Sequence, residues 1–128
     1  MSQMSTYLEN ALLNHVLRNT NLTSPATVYA ALYTTDPTGA DTGTEVTGGS
    51  YARQSINFGA PSGGSCANAT DVTFPVATGS WGTIGWVGIR DASTGGNLLY
   101  VGALSVSQNV ATGNQFKFPA GQLTVQNQ

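Results

Sequence analysis

Four basic side chains, six carboxylates, one histidine and one cysteine are the chain's whole stock of titratable chemistry apart from its tyrosines. Proton transfer needs a group of tunable pKa, so His15 comes first. A Ser-His-Asp arrangement would have to use it, yet it falls inside a helical pattern and no G-x-S-x-G elbow accompanies it. His15 instead reads as the polar edge of that helix. Together with Cys66 it falls short of the ligands a closed zinc site takes. Cys66 has no partner for an internal disulfide and reads as a small buried or half-buried side chain. Asp36, Asp41 and Glu45 share one loop at a spacing unlike an EF-hand. They read as a solvated acidic loop, with a weak calcium site as the alternative. Asp71 and Asp91 close strand patterns, where a carboxylate organises a turn, and paired-carboxylate glycoside chemistry finds no support. The glycine pairs 48–49, 63–64 and 95–96 lack the lysine and the following helix of a phosphate loop. Trp81 and Trp86 would either stack a sugar or peptide or pack as core rings beside glycine. No catalytic residue, cofactor or metal is expected, and the protein is expected not to be an enzyme.

The elements that position these residues are mostly strands. From Gly79 to Leu104 apolar and small residues alternate with period two, fold back at Asp91-Ala-Ser-Thr-Gly-Gly-Asn97, and return through the apolar run Leu98 to Val101. This ribbon is the expected centre of the fold. Before it, Thr6-Tyr-Leu-Glu9 matches a capping box, and Leu8, Leu12, Val16 and Leu17 recur at helical spacing. A helix is predicted over residues 7–19, ended by Asn19-Thr-Asn-Leu-Thr-Ser-Pro25. The patternless residues 1–6 read as a mobile arm. Further strands are predicted over 27–34, 53–58, 66–68, 71–74, 105–110, 115–118 and 121–126, separated by Gly, Pro, Asn and Asp clusters. The expected fold is mainly β: one antiparallel β-sandwich or jelly-roll-like domain over residues 7–128, with one N-terminal amphipathic helix and a flexible arm over 1–6.

Composition narrows the partners. Only 8% of residues are charged, against a usual ~25%, and Thr, Ser, Asn, Gln and Gly take their place. A net charge of −2 with three arginines and one lysine offers no basic patch for phosphates, so nucleic acid is not an expected partner. No apolar run has the length of a membrane span and the start lacks a signal-peptide pattern, so no membrane partner is expected and the protein is expected to be made in the host cytoplasm and to stay soluble.

Several stretches, taken together, resemble a family of small tailed-phage virion structural proteins. They are Tyr7-Leu-Glu-Asn-Ala-Leu-Leu-Asn-His-Val-Leu-Arg18, Ser24-Pro-Ala-Thr-Val-Tyr-Ala-Ala-Leu-Tyr-Thr-Thr-Asp-Pro37, Glu45-Val-Thr-Gly-Gly-Ser-Tyr-Ala-Arg-Gln54, Val72-Thr-Phe-Pro75 and Gly95-Gly-Asn-Leu-Leu-Tyr-Val-Gly-Ala-Leu104. Phe116 to Val125 is similar to that family's closing hairpin. The resemblance implies a non-enzymatic component of the virion, and members carry tail fibre or minor tail labels, while similar small sandwiches decorate capsids. The leading expectation is a capsid decoration (cement) protein that bridges neighbouring subunits of the major capsid protein and forms a homo-oligomer. The alternative is a tail fibre or minor tail component in adaptor or host-surface contact through residues 35–45 and 62–65. Contacts are expected at Met1, Ser2, Gln3, Met4, Tyr7, Leu8, Tyr51 and Arg53, the last two because an aromatic and an arginine leaving a glycine-rich loop are the types that dominate interface energy. Deleting residues 1–6 is expected to abolish particle binding and leave the fold intact.

Overall fold

A computed structural model of the chain describes residues 2–126, with the side chain of Ser2 left out. Its elements in order are β1 (Ser2–Met4), α1 (Thr6–Leu17), β2 (Val28–Tyr33), β3 (Gln54–Ile56), β4 (Ser65–Ala67), β5 (Val72–Thr73), β6 (Gly82–Arg90), β7 (Leu98–Val110), β8 (Lys117–Phe118) and β9 (Thr124–Gln126). The expected ribbon is β6 and β7, and it sits in the middle of a five-stranded antiparallel sheet of order β1-β7-β6-β2-β3. Facing it are two two-stranded sheets, β4-β9 and β5-β8. The protein is thus mainly β with one short helix, consistent with a β-sandwich.

The register explains which side chains fill which layer. Leu32 pairs with Val87 and Ala30 with Ile89, and these four join Ile84, Phe74, Phe116, Phe118, Leu123 and Val125 in the main core. Alternate positions point the other way, so Tyr29, Ala31 and Tyr33 lie beside Arg90, Gly88 and Trp86 on the outer face. That face is also buried, at Ala31, Tyr33, Leu98, Val101 and Pro37. Gly88 is what makes room there, because a Cβ would stand 2.7 Å from the Tyr33 ring and 2.8 Å from Leu98. The cover consists of the start of α1 and the loop after β2, joined where the Thr6 N–H donates to the Gly39 carbonyl at 2.9 Å. A continuous apolar run at Leu98 to Val101 suits a strand covered on both sides.

Four expectations change. The mobile arm is instead, over Ser2–Met4, an edge strand antiparallel to β7, with Ser2, Gln3 and Met4 opposite Gly102, Val101 and Tyr100. A three-residue edge strand needs no periodic signature, since its hydrogen bonds come from the backbone of its neighbour. The helix cap is Ser5 rather than Thr6: the Ser5 hydroxyl accepts from the Leu8 N–H at 3.1 Å, because the Ser5 N–H is itself fixed on the Leu99 carbonyl at 2.8 Å. The helix stops at Leu17 rather than 19, where Asn19 turns left-handed at φ 54° and Thr20 N–H returns to the Asn14 carbonyl. Finally, the expected strand at 105–110 is the far end of β7, separated from the near end by an irregularity. Trp86 pairs with Ala103 and Ile84 with Gln108, so residues 104–107 bulge from the ladder.

Candidate functional site

Two arginines, two carboxylates and two tyrosines converge where the loop after β2 meets the β6–β7 turn. Arg90, the last residue of β6, stands opposite Tyr29 in the ladder and reaches along the outer face to the hydroxyl of Tyr33, the last residue of β2. Its Nη1 donates to the Tyr33 hydroxyl at 2.9 Å and to Asp41 Oδ1 at 2.8 Å, and its Nη2 to Asp41 Oδ2 at 2.9 Å. Arg53, just before β3, makes the second fork: Nε to Glu45 Oε2 and Nη2 to Glu45 Oε1, both at 2.8 Å. Such two-pronged pairs match the planar guanidinium to the planar carboxylate.

Both guanidiniums then reach the same turn. Arg53 Nη1 donates to the carbonyls of Ala92 and Gly95 at 2.9 and 2.8 Å, while Arg90 donates to those of Gly95 and Gly96 at 3.3 and 3.0 Å. The turn offers these carbonyls because Gly95 and Gly96 take positive φ, and a Cβ on Gly96 would collide with Asp91 Oδ1. Asp91 closes the turn from within by accepting from the Asn97 backbone N–H at 2.7 Å.

Tyr51 ties this cluster to the sheet. Along the edge of β2, β3 pairs with Val28 to Ala30, and Glu45 bridges to Tyr33. The Leu32 N–H between them donates to the Tyr51 hydroxyl at 2.9 Å, and that hydroxyl donates to Glu45 Oε2 at 2.7 Å. Its ring meets Trp81 edge-on and stacks with Phe74. One side chain thus completes a strand edge, a carboxylate shell and the aromatic core.

Proton affinities follow this wiring. Burial would push the Glu45 carboxyl up, but the bonds from Arg53 and Tyr51 hold it below the usual carboxylate range. Burial drives the Tyr51 hydroxyl well above its ordinary value, and the bond to Glu45 adds to this. Burial opposes the charge on Arg90, yet the bonds to Asp41 and Tyr33 more than offset it and raise its pKa. Burial likewise raises Tyr33, against the pull of Arg90. Glu45, Arg53 and Arg90 thus keep their charges in the neutral range, and the arrangement works as a latch between two loops.

The residues expected to make contacts separate into distinct places. Met1 lies outside the described residues. Gln3 is exposed on β1 beside half-buried Met4, Tyr7 is open to solvent, and Leu8 is buried under the helix. Tyr51 and Arg53, expected at an interface, are engaged within the fold, and the Arg53 side chain retains only 9% exposure. The acidic loop does not gather either: Asp36 accepts from the Thr38 N–H, Asp41 holds Arg90 and Glu45 holds Arg53. Among the described residues no three metal-ligating side chains cluster. His15 Nδ1 accepts from the Leu22 N–H at 3.2 Å. Trp81 is buried with its indole N–H on the Gly49 carbonyl, which is a core role, and Trp86 is half-buried on the outer face. Sequence reasoning missed both halves of the latch, since it left Asp41 and Glu45 in a solvated loop, set Tyr51 and Arg53 at an interface, and gave Tyr33 and Arg90 no role. The available signal was an arginine ending an otherwise uncharged strand immediately before a glycine turn.

Comparison with known proteins gives a single coherent result. Residues 3–126 match the family described as Podophage GP4 fiber I protein gp80, so the match runs from β1 to the end of β9. A search of curated proteins found no match. With the family covering the sandwich, the helix and both halves of the latch, this chain belongs to the Podophage GP4 fiber I protein gp80 family, a phage fibre-type group of virion proteins.

Proposed function

We propose that this protein is a non-enzymatic component of the tail fibre, serving as an adaptor or in host-surface contact. The observation that carries the reading is the match to a fibre protein family along residues 3–126. The latch supports it, because two charged forks hold the loop over residues 35–46 and the turn over 91–97 in fixed relation. A fixed pair of loops binds without first losing conformational freedom, which favours recognition by shape. The family description favours this reading over capsid decoration.

The copy number of the protein in purified particles tests it, measured by quantitative mass spectrometry against the major capsid protein. A ratio of a few per hundred is the expected result. A ratio near one, or a simple fraction such as one third, would put the protein on the shell and overturn the proposal.

A further inference from the structure

Between β7 and the β8–β9 side the two layers of the sandwich stand apart and leave a groove of about 510 Å³, within the size of small-molecule sites. Phe116, Phe118, Leu123 and Val125 form its apolar wall. The opposite wall is the core-facing side of β7. Residues directly paired across a ladder share a face, so Tyr100, opposite Ile89, and Gln108, opposite Ile84, point to the same side as those two core residues. Polar groups at core-facing strand positions call for a partner or a function.

Among the described residues they have no such partner. Neither the Tyr100 hydroxyl nor the Gln108 amide makes a hydrogen bond within the chain, and the same holds for the side chains of Ser105, Gln122 and Thr124 along the groove. By contrast Asn68, Tyr33 and Tyr51, which also carry polar groups into the interior, are all hydrogen-bonded. The groove thus presents two amides and three hydroxyls, side chains that each donate and accept. Burial raises the pKa of Tyr100, so its hydroxyl keeps the proton it would donate. Lys117, the charged side chain at the rim, is paired with Asp71 at 3.1 Å.

A ligand suited to this groove is neutral, apolar on one side, and carries several groups that both donate and accept. An aliphatic guest would leave the amides and hydroxyls unpaired. An added peptide strand would need a regular ladder, which the bulge at residues 104–107 interrupts. A pyranose ring has both an apolar C–H face and a rim of hydroxyls. Tyr100 and Gln108 stand opposite Ile89 and Ile84 on β6, a separation of roughly 16 Å along an extended strand, which takes several linked rings rather than one. We propose that the groove binds a short neutral oligosaccharide, its C–H faces toward Phe116 and Phe118 and its hydroxyls on Tyr100, Gln108 and Gln122. The groove shares no residue with the latch, so the inference stands apart from the fibre reading.

Titration of the isotope-labelled full chain, followed through its amide NMR signals, tests the proposal. The probes are maltotriose, cellotriose, mannotriose and triacetylchitotriose, with hexanol and an end-blocked tetra-alanine peptide as competitors. At least one trisaccharide should shift amides within residues 100–108 and 116–124 saturably, and more tightly than its own monosaccharide. Gln108→Ala and Tyr100→Phe should each weaken that binding about fivefold while the signals of distant residues stay in place, and Ser24→Ala, on the exposed segment after α1, should leave it unchanged. Silence with all four sugars, shifts confined to other parts of the chain, tighter binding of hexanol or the peptide, or wild-type affinity in both groove variants would each overturn the proposal.

Discussion

The Tyr51 hydroxyl occupies the position of a missing strand carbonyl, accepting from Leu32 N–H while donating to Glu45. Tyr51→Phe leaves a buried backbone donor without an acceptor, a loss of about 1–3 kcal/mol. Urea unfolding should show that loss with an unchanged m-value, and a stability equal to wild type would refute the role. Glu45 carries the pH dependence. Its folded pKa lies below the unfolded one, so its contribution is complete above the ordinary carboxylate range and fades as pH falls through the depressed value. Wild-type Tm should therefore drop on acidification below about pH 4. Glu45→Gln should lower Tm at neutral pH and flatten the acid slope; an equally steep slope in the variant would assign the effect to other carboxylates. Neither ion pair of this site was read from the sequence, which left Glu45 in a solvated loop and set Arg53 at an interface. Arg53 and Glu45 are close along the chain and flank a glycine loop, whereas Asp41 and Arg90 meet only because β2 and β6 are neighbours. No local pattern carries that information.

Among the elements, those with a period were legible and those without one were not. Alternation revealed β6 and β7, and helical spacing revealed α1, although only Leu8 on the helix stripe is fully buried. β1 left no trace because Ser2, Gln3 and Met4 act through their backbone, and the bulge at 104–107 left none because it interrupts pairing without interrupting composition. The first residues thus contribute to the fold, contrary to the expectation that their deletion would leave the fold intact. Ser5→Ala should cost about 1 kcal/mol through the lost cap. Deleting residues 1–5 should cost more, since β1 and the Ser5–Leu99 bond go with it. Thermal unfolding of both variants measures this, and an unchanged Tm on deletion would restore the picture of a free arm.

At the scale of the whole molecule, the polar but nearly uncharged surface distinguishes this protein from partners recruited by electrostatic attraction. Salt screens surface charges beyond about 10 Å at 0.1 M, and here few are present: Arg90 and Arg53 are already forked to carboxylates. Association with the particle should consequently be nearly independent of ionic strength, checked by the amount retained on virions washed in rising salt. Steep release by salt would point instead to a charged interface.

The placement of β1 bears on how the chain comes to be folded at all. Ser2 is made first, yet its neighbour in the sheet is Gly102, and Cys66 likewise waits for Val125. No sequential build-up from the N-terminus can close this structure, because both layers are completed by the last third of the chain. Ordering such distant segments costs loop entropy before any pairing repays it, which slows folding toward the millisecond-to-second range of β-rich topologies. A newly synthesised copy therefore carries β1 and β4 without their sheet partners until the last third of the chain has been made.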